Sequence, residues 1–183
     1  MREDLINALL PDAGEPIDPV AMDTVADTIY VELHNTVSPY GLEYRTYCLL
    51  NTAGSGSAEF PQPALMQSYY IVVKHRNHLE TWSATPFYFD TPDTTYDFAS
   101  AATAAYGSST ILLNPGIYGI PAGEINQDGS VDLSDFNLIG TSMSNHYSTY
   151  RREDLSGDRF VESADYSIME NVLYPNRTVS KPQ

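Results

Sequence analysis

The segment from Glu124 to Asp165 contains the same twelve-residue pattern of oxygen-bearing side chains twice. In both copies Asp, Glu, Asn or Ser stands at positions 1, 3, 5, 9 and 12, and the second copy begins thirty positions after the first, at Asp154. Calcium takes about six to eight oxygen ligands, and an EF-hand loop supplies them at this spacing, with a backbone carbonyl at position 7. The pattern therefore predicts two calcium sites. Their ligands are Glu124, Asn126, Asp128, Ser130, Asp132 and Asp135 in the first loop and Asp154, Ser156, Asp158, Phe160, Glu162 and Asp165 in the second.

Apolar residues repeat in phase with these ligands. They stand at the same offsets after each loop, at Phe136, Ile139 and Met143 and again at Tyr166, Met169 and Leu173. A spacing of i, i+3 and i+7 places side chains on one face of a helix, so each loop is predicted to lead into an amphipathic helix with this stripe at core positions. Val131 and Val161 at position 8 are expected to form a short β contact between the loops.

Three positions depart from the usual loop. Glu124 at position 1 is longer than the common Asp, and position 12 is Asp in both loops rather than the bidentate Glu of sensor proteins. Arg159 occupies position 6 of the second loop, where a positive φ favours glycine, and Gly157 stands two residues earlier. We therefore expect the first loop to bind calcium more strongly than the second.

The doubled loop-and-helix unit resembles the dockerin family, in which the entering helix of a full EF-hand is missing and position 12 is Asp. The resemblance implies a secreted bacterial module that folds with calcium and docks onto a cohesin-like protein partner, as in cellulosome-like assemblies. It further implies that the partner is read by residues before position 12 and on the following helix. These are Leu133, Ser134, Gly140 and Thr141 in the first unit and Ser163, Ala164, Glu170 and Asn171 in the second.

Composition limits the other possibilities. The chain of 183 residues carries a net charge of −15, which argues against binding to nucleic acid or to an anionic membrane surface. No apolar run reaches the roughly 18–20 residues of a membrane span, and no signal peptide is evident. Calcium sites of ordinary strength are saturated outside cells, so we expect an extracellular or surface location and read the chain as a mature portion of an exported protein. The single cysteine, Cys48, cannot form an intramolecular disulfide and is expected to be buried.

The region before the loops predicts a β-rich module. Residues 1–23 read as a linker, and 24–121 as an antiparallel β-sandwich of the immunoglobulin or prealbumin kind, followed by the calcium module at 122–175 and a tail at 176–183. Short alternating or β-branched runs predict strands at residues 28–34, 42–50, 58–60, 68–75, 79–84, 87–89, 111–113 and 117–120, with a short helix near 99–105. Ile29, Val31 and Leu33 share one face of the first strand, and Tyr30, Glu32 and His34 share the other.

This β region, through the run from Tyr69 to Ala84, also resembles a C-terminal region of large secreted proteins of Bacteroidetes-type bacteria, where a dockerin-like calcium repeat follows closely. The resemblance covers most of the chain. It implies export and architecture, and it transfers no catalytic residue.

Two further clusters have alternative interpretations. His75, His78 and Glu80, with His34 nearby, have the types of side chain that bind metals, but exposed polar residues at a hairpin end are the simpler explanation, and no zinc-type Cys/His pattern is present. The aromatic residues near Trp82 could form a platform for a sugar ring or belong to the core; they are Tyr69, Tyr70, Phe87 and Tyr88.

Catalytic motifs such as G-x-S-x-G, H-E-x-x-H and a Gly-rich phosphate loop do not occur, so we expect no enzyme. The sequence leaves three functions open: a calcium-dependent docking module, a polysaccharide-binding sandwich with a calcium-stabilised appendage, or a structural spacer.

Overall fold

A computed structural model describes residues 25–145, 151–173 and 176–183. These residues form mostly antiparallel β-sheet, with two short α-helices late in the chain. The predicted mainly β class with a small helical part is therefore confirmed, whereas the two-sheet sandwich stays a prediction. The predicted linker at 1–23 lies outside the described residues. No helix in the described part of the chain has the length and apolar character needed to cross a bilayer.

The largest sheet is built from the first five strands. They are β1 (Val25–His34), β2 (Leu42–Asn51), β3 (Ser68–His75), β4 (His78–Trp82) and β5 (Phe87–Tyr88). The order is β2-β1-β3-β4, and β5 pairs with the first residues of β3. Aromatic and β-branched residues are dense in β1 and β3, which suits the two central strands. The sequence placed β3 at its observed bounds and the other four within a few residues.

The later strands form two small ribbons. β6 (Ile111–Asn114) pairs with β7 (Ile117–Gly119), and β8 (Ser130–Val131) pairs with β9 (Arg177–Thr178). The helices are α1 (Leu133–Ser144) and α2 (Ser163–Leu173). Part of the segment that the sequence assigned to a tail is thus a strand.

Two local expectations differ from the structure. Residues 58–60 are not a strand. Just before them the chain passes close to β2, since a Cβ on Gly56 would lie 2.6 Å from the Leu49 carbonyl oxygen. The predicted helix near 99–105 is reduced to a single 3-10 turn at Ala102–Ala104.

The first strand has buried residues on both of its faces. Ile29 and Leu33 are buried on one face, as the alternation predicts. On the other face Glu32 is also buried, because His34, Arg45 and Lys74 surround its carboxylate.

A separate core joins the sheet to the helices. It is formed by Leu79 of β4 together with Ile125, Val131, Ile139, Val161, Met169, Val172 and Leu173. Phe136, Met143 and Tyr166 pack against this cluster, so the predicted apolar stripe is confirmed on both helices. The rings of Phe136 and Tyr166 meet edge to face with centroids 4.5 Å apart.

Candidate metal centre

The first loop is organised by the carboxylate at its position 12. Asp135 is fully buried in the first turn of α1. Its Oδ1 accepts hydrogen bonds from the amides of Ile125 and Asn126, at 2.8 and 3.0 Å, and its Oδ2 accepts one from the Asp132 amide at 3.0 Å. One side chain therefore ties the start of the loop to the start of the helix.

The second loop repeats this arrangement at Asp165, which is likewise fully buried. Its Oδ1 accepts from the amides of Leu155 and Ser156, at 2.7 and 2.8 Å, and its Oδ2 accepts from the Glu162 amide at 2.9 Å. The same three loop positions donate in both copies, so the sequence repeat corresponds to a repeated three-dimensional frame.

Position 1 of the first loop has an unsatisfied charge. Glu124 is only 2% exposed, and its Oε1 accepts a hydrogen bond from the Asp128 amide at 3.1 Å. Its Oε2 is buried and accepts no hydrogen bond from any described residue. Burial, and then the charge of Asp135, raise the pKa of Glu124. A buried anionic oxygen without a donor is costly, so this site fits a bound cation.

Position 1 of the second loop is better satisfied. Asp154 is fully buried, with Oδ1 accepting from the Gly157 amide at 2.7 Å and Oδ2 from the Arg159 amide at 2.9 Å. Burial nevertheless raises the pKa of Asp154, and the charge of Asp165 adds to this effect.

Two positions of each loop have a left-handed backbone, and Arg159 occupies one of them. Positions 4 and 6 have positive φ in both loops: 63° and 94° at Gln127 and Gly129, and 78° and 77° at Gly157 and Arg159. Each loop thus has one glycine at these two positions, but at opposite places. As expected, position 6 of the second loop has a positive φ that Arg159 itself adopts, and Gly157 does not relieve it. Gly157 instead occupies position 4, which is left-handed as well.

The remaining predicted ligands lie nearer the surface. In the first loop Asn126 donates to Asp128 Oδ2 at 2.9 Å, and Asp132 caps α1 by accepting from the Ser134 amide at 2.7 Å. The Ser130 amide donates to Asp128 Oδ1. In the second loop Asp158, Ser156 and Glu162 are exposed or partly exposed, and the Phe160 side chain is 56% exposed.

Each loop therefore brings two carboxylates to its interior, at positions 1 and 12. No group of three or more His, Cys, Asp or Glu side chains within the described residues is arranged to hold a metal ion. A calcium ion in the first loop would have to complete its coordination with the amide, hydroxyl and backbone oxygens of Asn126 and Ser130 and with the Asp128 carboxylate, which are ligand types that calcium accepts.

The expected β contact between the two loops takes a different form. Val131 pairs with Arg177 of β9 in the ribbon, while Val131 and Val161 both lie in the shared core. Sequence reasoning missed β9 because this strand has only two residues, both of them polar, which is too few to show an alternating pattern.

Residues that the resemblance assigns to partner recognition lie mostly at the surface. Leu133, Ser134 and Thr141 of the first unit are exposed, and Leu133 is 62% exposed despite its apolar side chain. In the second unit Ser163, Glu170 and Asn171 are exposed. One residue of each unit is partly buried: Gly140 in the first and Ala164 in the second.

The histidine cluster does not gather into one site. His75 and His78 bring their Nδ1 atoms to 2.7 Å, and His75 Nε2 lies 2.9 Å from Asp27. His34 instead bonds Glu32, and Glu80 accepts from the indole of Trp82 and pairs with Lys74. The cluster is thus divided between two parts of the sheet.

The aromatic cluster is mainly core. Trp82 is 3% exposed and Tyr69 is buried, whereas Tyr88 is exposed. Tyr70 lies at 59° to the Trp82 ring, so these two rings do not form a flat platform. The polysaccharide alternative thereby loses Trp82 as an exposed platform residue. Cys48 is buried, as expected.

A part of the site that sequence reasoning missed is the turn between β3 and β4. Arg76 and Asn77 reach the carbonyl of Asp154, and the Asn77 carbonyl accepts from the Gly123 amide. Their polar side chains indicated only a turn, and no local sequence pattern shows which part of the protein a turn contacts.

In comparisons with protein-family models, curated proteins and solved structures, this chain gave no match.

Proposed function

We propose that this protein is a non-catalytic calcium-binding interaction module of a secreted or surface bacterial protein. In this proposal the loop-helix pair is dockerin-like, follows a β-sandwich module, and docks onto a cohesin-like protein partner. The calcium ions stabilise the two loops and thereby hold both helices in the orientation that a partner reads.

The observation that carries the calcium part is the buried pair of carboxylates in the first loop. Glu124 and Asp135 repel one another, and Glu124 Oε2 lacks a hydrogen-bond donor among the described residues. A divalent cation would offset both the repulsion and the desolvation.

The order of the two sites follows from the same geometry. Both oxygens of Asp154 already accept amide hydrogen bonds, whereas Glu124 has one oxygen available. A calcium ion in the first loop would therefore supply a partner to a carboxylate oxygen that has none, and we expect its affinity to be higher there than in the second loop.

The docking part rests on what the helices expose. Leu133 presents an apolar side chain on the first turn of α1, and exposed Ser134 and Thr141 lie on the same helix. Thirty positions later, at the corresponding places of α2, stand Ser163, Ala164 and Asn171, so the counterpart of the apolar Leu133 is the polar, exposed Ser163. Because the exposed faces of α1 and α2 differ in chemistry, we expect the module to bind its partner in a single orientation.

A calorimetric calcium titration of EDTA-stripped protein, with circular dichroism in parallel, tests the calcium part. We expect two binding events and a gain of helical signal. The matched pair Asp128→Ala and Asp158→Ala should each remove one event, the former the tighter one. Absence of binding at millimolar calcium would overturn the proposal.

Binding of cohesin domains to immobilised protein, in calcium and in EDTA, tests the docking part. Leu133→Ser should weaken calcium-dependent binding, whereas Leu112→Ser, at a comparably exposed leucine of β6, should not. If the wild-type protein and both variants bind cohesin domains equally well, the interface does not include Leu133.

A further inference from the structure

The turn between β3 and β4 is buried, although it is made of the polar residues Arg76 and Asn77. Asn77 has no exposed surface, and the Arg76 side chain is 8% exposed. Turns usually lie at the surface because their backbone groups need water, so a buried polar turn must find its partners within the protein.

Most of those partners belong to the second loop. Asn77 Nδ2 donates to the carbonyls of Arg152 and Asp154, both at 3.0 Å. The Arg76 guanidinium donates to the Asp154 carbonyl at 3.0 Å and also to that of Arg151. The backbone at position 1 of the second loop is thus held by two side chains from one turn.

The same turn contacts the first loop. The Gly123 amide, immediately before Glu124, donates to the Asn77 carbonyl at 2.7 Å. Gln127, at position 4, donates to the Arg76 carbonyl at 3.4 Å. Residues Arg76 and Asn77 therefore touch the entrance of both loops.

The turn is itself held firmly. His78 Nδ1 lies 2.8 Å from Asn77 Oδ1, and Arg76 Nε lies 3.4 Å from Asp27. Leu79, which follows His78, is buried in the core that contains residues of both helices. Because the sheet fixes the position of the turn, the turn can fix the backbone of both loops through the hydrogen bonds described above.

We propose that Arg76 and Asn77 are positioning residues for both calcium loops. In a full EF-hand a helix enters each loop and fixes position 1. Here one hairpin turn performs this task for two loops, and it links calcium binding to the sheet. The calcium part of this inference rests on the proposed function, whereas the positioning part concerns the calcium-free protein as well.

Amide hydrogen exchange of the full chain without calcium tests the positioning part. The reporters are the amides of Leu155, Ser156 and Glu162, which donate to Asp165. We expect Asn77→Ala to speed their exchange by about tenfold. Arg76→Lys is the milder variant, because it keeps the charge but loses the planar fork of donors.

Val73→Ala is the matched control, since Val73 is buried in β3 and belongs to a cluster on the sheet away from the loops. It should speed exchange in the sheet and leave the loop reporters unchanged. If Val73→Ala and Asn77→Ala affect the loop reporters alike, or if neither turn variant affects them, the inference is overturned.

Calorimetry then tests the coupling. Both turn variants should weaken calcium binding by roughly tenfold, and calcium should in return slow exchange of the Asn77 and Gly123 amides in the wild-type protein, since linkage is reciprocal. Unchanged affinity in the variants would overturn the coupling. If the wild-type protein binds no calcium, the proposed function fails, and the calcium-free exchange alone decides the positioning role.

Discussion

Gly123 lies directly against Met169: a Cβ on Gly123 would stand 2.5 Å from the Met169 sulfur. It would also approach Val131 and Val172, and the glycine has a φ of 101°. Both the left-handed backbone and the absence of a side chain are thus required where the chain enters the first loop.

Gly123→Ala should therefore lower the free energy of unfolding by about 2–5 kcal/mol, the combined cost of overpacking and of a left-handed alanine. Urea unfolding measures this change. Gly116→Ala is the control, because Gly116 has a φ of 77° but has no atom within 4 Å of the added Cβ. It should cost only about 1–2 kcal/mol, and equal losses would show that packing against Met169 is unimportant.

Glu124→Gln should have opposite effects with and without calcium. The pKa of Glu124 is raised in the fold, so its ionisation destabilises the calcium-free protein above that raised pKa and has no effect below the ordinary value. The variant should accordingly be more stable than wild type at pH 7, and similar at pH 4, when calcium is absent.

The same variant should weaken calcium binding by at least about tenfold, because it removes an anionic ligand. Thermal unfolding with EDTA and calorimetry with calcium provide the two measurements. Glu170→Gln, on the exposed face of α2, should change neither quantity. A calcium-free variant that is less stable at pH 7 would contradict the argument.

Glu32→Gln should destabilise the sheet at neutral pH. Burial alone would raise the pKa of Glu32, but the hydrogen bond from His34 and the charges of Lys74 and Arg45 lower it to about 2. Its stabilising effect is therefore complete above the ordinary value near 4.5 and disappears as pH falls towards 2.

We expect a loss of roughly 1–3 kcal/mol at pH 7, less than for a fully buried pair because Arg45 is half exposed. Urea unfolding at pH 7 and pH 3 should show the gap between wild type and variant narrowing with acid. Glu43→Gln, at an exposed residue of β2, is the control. A constant gap would mean that the charge is not responsible.

His78 should make stability depend on pH in a different range. Burial, and then the charges of His75 and Arg76, lower the pKa of His78 to about 3. In the unfolded chain His78 takes up a proton near pH 6.5, whereas in the folded chain it stays neutral until about pH 3. The free energy of unfolding should therefore fall by up to about 1.4 kcal/mol per pH unit as pH drops from 6.5 towards 3. His78→Phe should flatten this slope between pH 6.5 and 5, and an unchanged slope would assign it to other groups.

The helices and the loop frame could be predicted because their determinants are local. The apolar residues Phe136, Ile139 and Met143 recur in the second unit at the same offsets, and periodicity on a helix directly specifies the buried face. The strands β1 and β3 were found for a similar reason, since their β-branched and aromatic residues are concentrated in short runs.

Contacts between distant parts of the chain could not be predicted in this way. Alternation along β1 placed Glu32 opposite the core face, but its burial depends on Arg45 and Lys74 from two neighbouring strands. Asn77 looked like an ordinary turn residue, and only the folded chain brings it to Asp154. Periodicity reports which face of an element is apolar and carries no information on what covers the other face.

The ribbon of β8 and β9 makes the repeat nested rather than tandem. The first unit obtains its strand partner, Arg177–Thr178, from beyond the end of the second unit. Cutting the chain between α1 and Asp154 would therefore not release two equivalent halves. The fragment with the first loop would lose the pairing of Ser130 and Val131, and the fragment with the second loop would keep a strand without its neighbour.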